Sequence, residues 1–289
     1  MAAQPFRDAR LEQELQLDGL HSRAAAEVFG DLTTYLGQPI EAIAQQYWRY
    51  RETDDVQAQE RVARADTETP VMAYYQSTPH YLYELSYWEA SREKQAWFQV
   101  LARACRRYGF RHVLDYGGGV GGACLFLRRH GFECDYLDVA GKTFEYAGWR
   151  FQRHGAKAVQ FNILEGWPPA PYDAVTAWDV LEHVFDLEDA VRRIAGLLRS
   201  GGWFLSKSTF ADASAGHLHI HLAKHMRYGD VRTLNTMFGQ QGLAFVGQLK
   251  PNRLSRLLRA VGWQHAVAGI RIKPRLKHGG NFLVHERAV

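Results

Sequence analysis

The stretch VLDYGGGVGGACLFL, residues 113–127, constrains this chain more than any other part of its 289-residue sequence. An apolar strand pattern reaches Asp115 and then runs through Gly117, Gly118, Gly119, Gly121 and Gly122 into a helix pattern. Glycine permits a tight strand-to-helix turn and close approach of a ligand to the backbone, while the helix N-terminus offers unpaired N–H groups and a positive dipole end. Gly117, Gly119 and Gly122 also satisfy the G-x-G-x-x-G dinucleotide fingerprint, so the glycines alone leave a nicotinamide or flavin enzyme open. Asp138 ends the following strand pattern, where a carboxylate can accept hydrogen bonds from ribose hydroxyls in either cofactor class.

Around this motif, strand patterns alternate with helix patterns, which is the signature of a parallel sheet built from crossover units. HVLDYG, ECDYLDV, KAVQFNI, YDAVTAW, GWFLSKST, LAFVGQL and NFLVHERA read as strands. The intervening helices are CLFLRRHG, FEYAGWRFQRHG and DLEDAVRRIAGLLRSGG, each ending at glycine, and Asp230 reads as the N-cap of a further one. This catalytic domain is expected over residues 92–289. Residues 1–91 read instead as helices with no strand alternation, and Tyr74, Tyr75, Tyr81, Tyr83, Tyr87 and Trp88 crowd their end. Aromatic groups bring large apolar area at modest entropic cost, so these either fasten a helical cap to the main domain or form a lid lining a substrate pocket.

Charge excludes a protein devoted to coating nucleic acid, because 35 basic and 31 acidic side chains nearly balance. The basic residues are uneven, however, with Lys250, Arg253, Arg256, Arg259, Arg271, Lys273, Arg275 and Lys277 concentrated late in the chain. Cys105, Cys124 and Cys134 lack the close pairing of a zinc or redox motif and read as reduced packing residues. The N-terminus has no apolar secretory core and no stretch is long enough to cross a bilayer, so a cytoplasmic location without membrane attachment is expected.

Asp115 before the glycines, YDAVTAWDVLEHV with its Glu-His pair, and LLRSGGWFLSKST together resemble class I S-adenosylmethionine-dependent methyltransferases, most closely the ubiquinone- and menaquinone-biosynthesis type. The resemblance covers about residues 111–287 and implies a Rossmann-like α/β sheet of seven strands behind an N-terminal helical lid. It implies S-adenosylmethionine as cofactor and S-adenosylhomocysteine as product. Asp115, Gly117, Gly118, Gly119 and Gly121 would cradle the methionine moiety, Asp138 and Val139 the ribose, and Asn162 and Ile163 the adenine. Trp178 and Asp179 would lie beside the methionine amino group. Many relatives carry Asp where Asn162 stands, although an amide carbonyl can still accept from the adenine amino group.

Methyl transfer is an in-line displacement, so the protein must align donor and acceptor and remove a proton when the nucleophile is a hydroxyl. Asp179, Glu182 and His183 at i, i+3 and i+4 would share one helical face toward the cofactor, with Glu182 or His183 as base. The trio could also hold a divalent cation, but it is widespread in relatives where it only closes the pocket, and no metal is expected. His217, His219 and His221 alternate in an extended pattern, followed by His225; His221 is a candidate catalytic residue, with structural and metal-binding roles also open. Tyr74, Tyr75, Tyr81, Tyr83 and Trp88 are the candidate acceptor-binding residues. The expected partner is a small-molecule acceptor rather than nucleic acid, with an RNA methyltransferase using the basic C-terminal region as the alternative. Outside the transferases stand a nicotinamide-linked oxidoreductase and a non-catalytic cofactor-binding scaffold. Oligomeric state is not legible.

Overall fold

A computed structural model of the chain describes residues 20–50, 62–210, 222–249 and 282–287. Its N-terminal part forms helices α1 (Ser22–Leu36), α2 (Ile40–Arg49), α3 (Glu68–Ser77) and α4 (His80–Ala90). Next, Ser91 accepts a hydrogen bond from the Lys94 N–H and starts α5 (Arg92–Tyr108), which Gly109 ends in the left-handed conformation. The remainder alternates: β1 (His112–Tyr116), α6 (Gly122–Arg129), β2 (Glu133–Asp138), α7 (Lys142–Arg153), β3 (Gln160–Asn162), β4 (Tyr172–Trp178), α8 (Leu187–Leu197), β5 (Leu198–Lys207), α9 (Val231–Gln240), β6 (Leu243–Leu249) and β7 (Phe282–Arg287). As the sequence suggests, the Asp230 carboxylate caps α9 by accepting from the Thr233 N–H at 3.0 Å.

The strands form one seven-stranded sheet in the order β3-β2-β1-β4-β5-β7-β6. β1 to β5 are parallel, and β7 runs antiparallel between β5 and β6. Side-chain alternation along β1 divides the core. Leu114 and Tyr116 face a layer built from α8 and α9, with Leu187, Val191, Ile194, Leu234 and Phe238 buried. Val113 faces the opposite layer, where α5, α6 and α7 contribute Trp97, Leu101, Leu125, Ala147 and Phe151. Helices on both faces explain why the central strands are nearly continuous apolar runs. The chain reverses direction across the sheet between β1 and β4, and in such sheets the crevice at the carboxyl ends of the strands is where ligands bind.

Two boundaries differ from the sequence expectation. The glycine pair Gly201–Gly202 lies inside β5, which begins at Leu198, because the helix has already ended at Leu197 and the strand bulges opposite Tyr172 and Ala174. β3 is confined to Gln160–Asn162, a short edge strand paired only with β2. The N-terminal helices pack as a cover over one end of the sheet. Leu32, Ile43, Tyr47, Leu82 and Tyr83 bury against Tyr146 of α7 and Val120 of the glycine turn. Among the described residues, no helix is long and apolar enough to cross a membrane.

Candidate active site

The glycine turn is held from several sides. The Gly117 N–H donates to the Leu137 carbonyl at 2.8 Å, and the Gly119 N–H donates to Asp138 Oδ2 at 2.7 Å. From β2, the Tyr136 hydroxyl donates to the Gly119 carbonyl at 2.6 Å. Gly117 is in the left-handed region at φ 68°, and a Cβ there would lie 2.3 Å from Val180 Cγ2, so both conformation and space demand glycine. Asp138 takes a second bond from the Val139 N–H at 2.7 Å. Burial pushes its carboxyl up, while the bonds from Gly119 and Val139 oppose that shift.

A cavity of about 820 Å³ opens above the carboxyl ends of β1, β2 and β4. Gly117, Gly119, Asp138, Val139, Ile163, Trp178, Asp179 and His183 line it, as do Tyr75 and Tyr81 from the cover. A smaller recess of about 50 Å³ continues behind the glycine turn, lined by Trp88, Glu89, Lys94, Asp115 and Gly118. Leu85, Gly117, Gly119 and Trp178 border both spaces.

In the recess, the Lys94 Nζ stands 4.5 Å from the centroid of the Trp178 ring, which stacks on Phe98 at 5.2 Å. Burial lowers the affinity of this ammonium for its proton, and Asp179 and Asp115 counteract it. Burial pushes the Asp115 carboxyl up to about 7; Lys94 pulls it down, whereas Asp138 and Glu89 add to the rise. Sequence reasoning did not find Lys94. It sits in α5 among other charged residues, and its only signal is burial, which the sequence does not display.

Several expected site residues are placed otherwise. Asp179 adopts a left-handed backbone at φ 51° and residues Leu181–His183 form a single 3-10 turn, so Asp179, Glu182 and His183 do not share an α-helical face. Glu182 is buried outside the cavity lining, and its Oε1 accepts from the Thr209 N–H at 2.9 Å. Burial, together with the like charge of Asp179, pushes the Glu182 carboxyl up to about 8. Asp179 remains at the cavity, with the Lys207 ammonium 3.2 Å from its Oδ1. Asn162 does not line the cavity; its Oδ1 accepts from the N–H groups of Ala140 and Leu164 at 3.1 and 3.2 Å and shapes the turn that presents Ile163.

Gly121 caps α6 and lines neither space. Tyr74 packs beside Val71 and Leu222, Tyr83 packs beside Tyr50, and Trp88 borders the recess rather than the cavity. Of the aromatic cluster, Tyr75 and Tyr81 reach the cavity, with their rings stacked at 5.5 Å and Tyr75 standing edge-on to His183 at 6.1 Å. His217, His219 and His221 lie outside the described residues, as does the basic run from Lys250 to Lys277. His225 is buried, its Nε2 2.7 Å from the Val184 carbonyl.

Comparison with known proteins adds the family. The model of the methyltransferase domain family matches residues 80–248, beginning inside the helical cover. The ubiquinone biosynthesis O-methyltransferase of Chromobacterium violaceum is 29% identical over 156 residues, covering 53% of this chain and 64% of that protein. Its namesake from Paracidovorax citrulli is 31% identical over 121 residues, covering 40% of this chain and 51% of that protein. The chain thus spans less than two-thirds of the length of either curated relative. The fold is shared with an S-adenosylmethionine-dependent methyltransferase from Clostridium acetobutylicum, at a TM-score of 0.50 and 10% identity over 68% of this chain and 92% of that one. With the match spanning more than half of its residues and the seven-stranded Rossmann-like sheet behind it, the chain belongs to the methyltransferase domain family.

Proposed function

We propose that this chain transfers a methyl group from S-adenosylmethionine to a hydroxyl of a small-molecule acceptor held beneath α3 and α4. The observation that carries this function is the continuous cavity in which the glycine turn and Asp138 face Tyr75, Tyr81 and His183. The curated relatives are named O-methyltransferases, which supports a hydroxyl as the acceptor group.

The residues fit the cofactor. Its amino-acid end carries an ammonium and a carboxylate, and the recess behind the turn presents Asp115 and Lys94, groups of opposite charge suited to each. Asp138 Oδ2 accepts from the Gly119 N–H and the Tyr136 hydroxyl, while Oδ1, which accepts from the Val139 N–H, keeps a lone pair for a ribose hydroxyl. Val139 and Ile163 offer apolar surface to the adenine, and Leu85, Gly117, Gly119 and Trp178 would surround the sulfur. When bound, S-adenosylmethionine supplies an electrophilic methyl group on a sulfonium.

The protein aligns the acceptor, excludes water and takes up the released proton. His183 is the ionisable side chain on the cavity wall assigned to accept that proton, and the edge-on Tyr75 ring orients its imidazole. Glu182 is not assigned to this step, because it is buried outside the cavity lining and its Oε1 already accepts from the Thr209 N–H. Tyr75, Tyr81 and Leu85 roof the site, so residues 1–91 act as its cover and residues 92–289 as the catalytic domain.

Calorimetric titration with S-adenosylmethionine, S-adenosylhomocysteine and NADH tests the proposal. Binding of the first two, loss of both in Asp138→Ala and silence with NADH are expected. Absence of binding, or binding of NADH alone, would overturn it. A screen of small phenols for methyl uptake then tests the acceptor class.

A further inference from the structure

Arg150, in the last turn of α7, is fully buried, yet it is remote in sequence from every group it binds. Its Nε donates to Asp31 Oδ2 of α1 at 3.0 Å. Its two terminal nitrogens donate to the Glu89 carboxylate of α4 at 2.7 and 2.8 Å. One of them also donates to the carbonyl of Val120, inside the glycine turn, at 2.8 Å. Both counter-charges of this guanidinium therefore come from the N-terminal helices, and the backbone it fastens belongs to the cofactor turn. Burial alone would lower the affinity of the guanidinium for its proton, and the Glu89 carboxylate reverses that tendency.

Glu89 is itself at the site. It borders the recess that Lys94 and Asp115 share, and its carboxyl group would lie 2.3 Å from a Cβ placed on Gly122, the first residue of α6. Glycine at that position lets a carboxylate of the cover rest on the helix that follows the turn. A buried cation deprived of its carboxylates is strongly unfavourable and relaxes by moving. Here the group that would move with it is the Val120 carbonyl.

We infer that Arg150, held by Glu89 and Asp31, is a positioning residue that makes cofactor affinity depend on the N-terminal helices, so that the cover is a structural half of the cofactor site. The inference rests on the cofactor proposed above. It gives the cover two tasks: α1 and α4 are fixed to the turn through Arg150, and α3 together with Tyr81 and Leu85 of α4 roofs the cavity.

The experiment measures S-adenosylhomocysteine affinity and thermal midpoint for the full chain and three variants. Glu89→Gln keeps the side-chain shape but halves the charge compensation, and should weaken binding at least tenfold. Asp31→Asn leaves the bidentate pair intact but weakens what Asp31 offers to Arg150 and, on the same carboxylate, to Arg153 and His154, and should weaken binding about threefold. Phe29→Ala leaves a void in the same helical cover among Leu20, Ala25 and Ala90, in a cluster that does not include Val120, and should lower the midpoint as much as Glu89→Gln while leaving affinity within twofold of the wild type. A purely structural network predicts the opposite pattern: either undiminished affinity in Glu89→Gln and Asp31→Asn, or an equal loss in Phe29→Ala. Either result overturns the inference with the cofactor assignment intact. Should Glu89→Gln fail to fold, Asp31→Asn against Phe29→Ala decides the question. A wild-type protein that binds no S-adenosylhomocysteine would instead overturn the proposed function and this inference with it.

Discussion

At the cofactor end of the cavity, one run of chain from Asp115 to Gly122 supplies nearly half of the residues lining the recess, and its polar groups are tied to neighbours on β2 and α7. At the acceptor end, Tyr75, Tyr81, Leu85, Thr143 and His183 come from four separate segments, and the rings of Tyr75, Tyr81 and His183 meet there. The first end is specified by local backbone geometry and tolerates little. The second is specified by how a helical cover comes to rest on the sheet, and its chemistry can vary without disturbing the turn.

The sharpest way to break this contrast is His183→Ala. Loss of a positioned base should lower kcat by about 100-fold or more, with S-adenosylhomocysteine affinity unchanged by calorimetry; a loss of affinity in place of turnover would mean that the two ends are not separable. Gly117→Ala probes the opposite end. Its left-handed backbone and the overlap with Val180 should together cost about 2 kcal/mol, roughly thirtyfold in cofactor affinity, measured by the same titration.

Gly141→Ala sharpens the comparison at the seam between cover and sheet. A Cβ there would meet the backbone of Gln76 at 2.9 Å, and because Gly141 itself is extended, the effect is steric alone. α3 must shift, and the acceptor KM should rise about tenfold, or about 1.4 kcal/mol, while cofactor affinity holds. The smallest effect is expected at Glu182→Gln. A folded carboxyl raised from 4.5 to about 8 contributes stability that is present below pH 4.5 and is lost as pH rises through about 8. The glutamine variant lacks that loss, so its thermal midpoint should match the wild type near pH 4 and exceed it by a few degrees near pH 9. Identical pH profiles would show that Glu182 ionises freely and leave it available as a base.

The same contrast explains what the sequence disclosed. Central strands such as β1 and β4 are legible because each carries an apolar run closed by a turn, and the glycine motif is legible because the requirement for glycine is local. Phase errors account for the acceptor end. Neighbouring tyrosines such as Tyr74 and Tyr75 point about 100° apart around a helix, and Tyr75 reaches the cavity whereas Tyr74 packs against Leu222. For Glu182 the α-helical period does not hold, since Asp179 is left-handed and a 3-10 turn follows it, and Glu182 is buried outside the cavity that His183 lines. Lys94 and Arg150 were illegible for a different reason: a charged residue on a helix reads as solvated until the packing that buries it is known.

Trp178 borders both the cavity and the recess, with the Lys94 ammonium over one region of its indole and Phe98 stacked alongside. An emitting ring in that position senses any charge that enters beside Lys94, so the protein carries its own optical gauge of cofactor occupancy. Titrations followed by tryptophan fluorescence, with Trp178→Phe to remove the contribution of the other indoles, would read the cofactor end without a label and leave the acceptor end undisturbed.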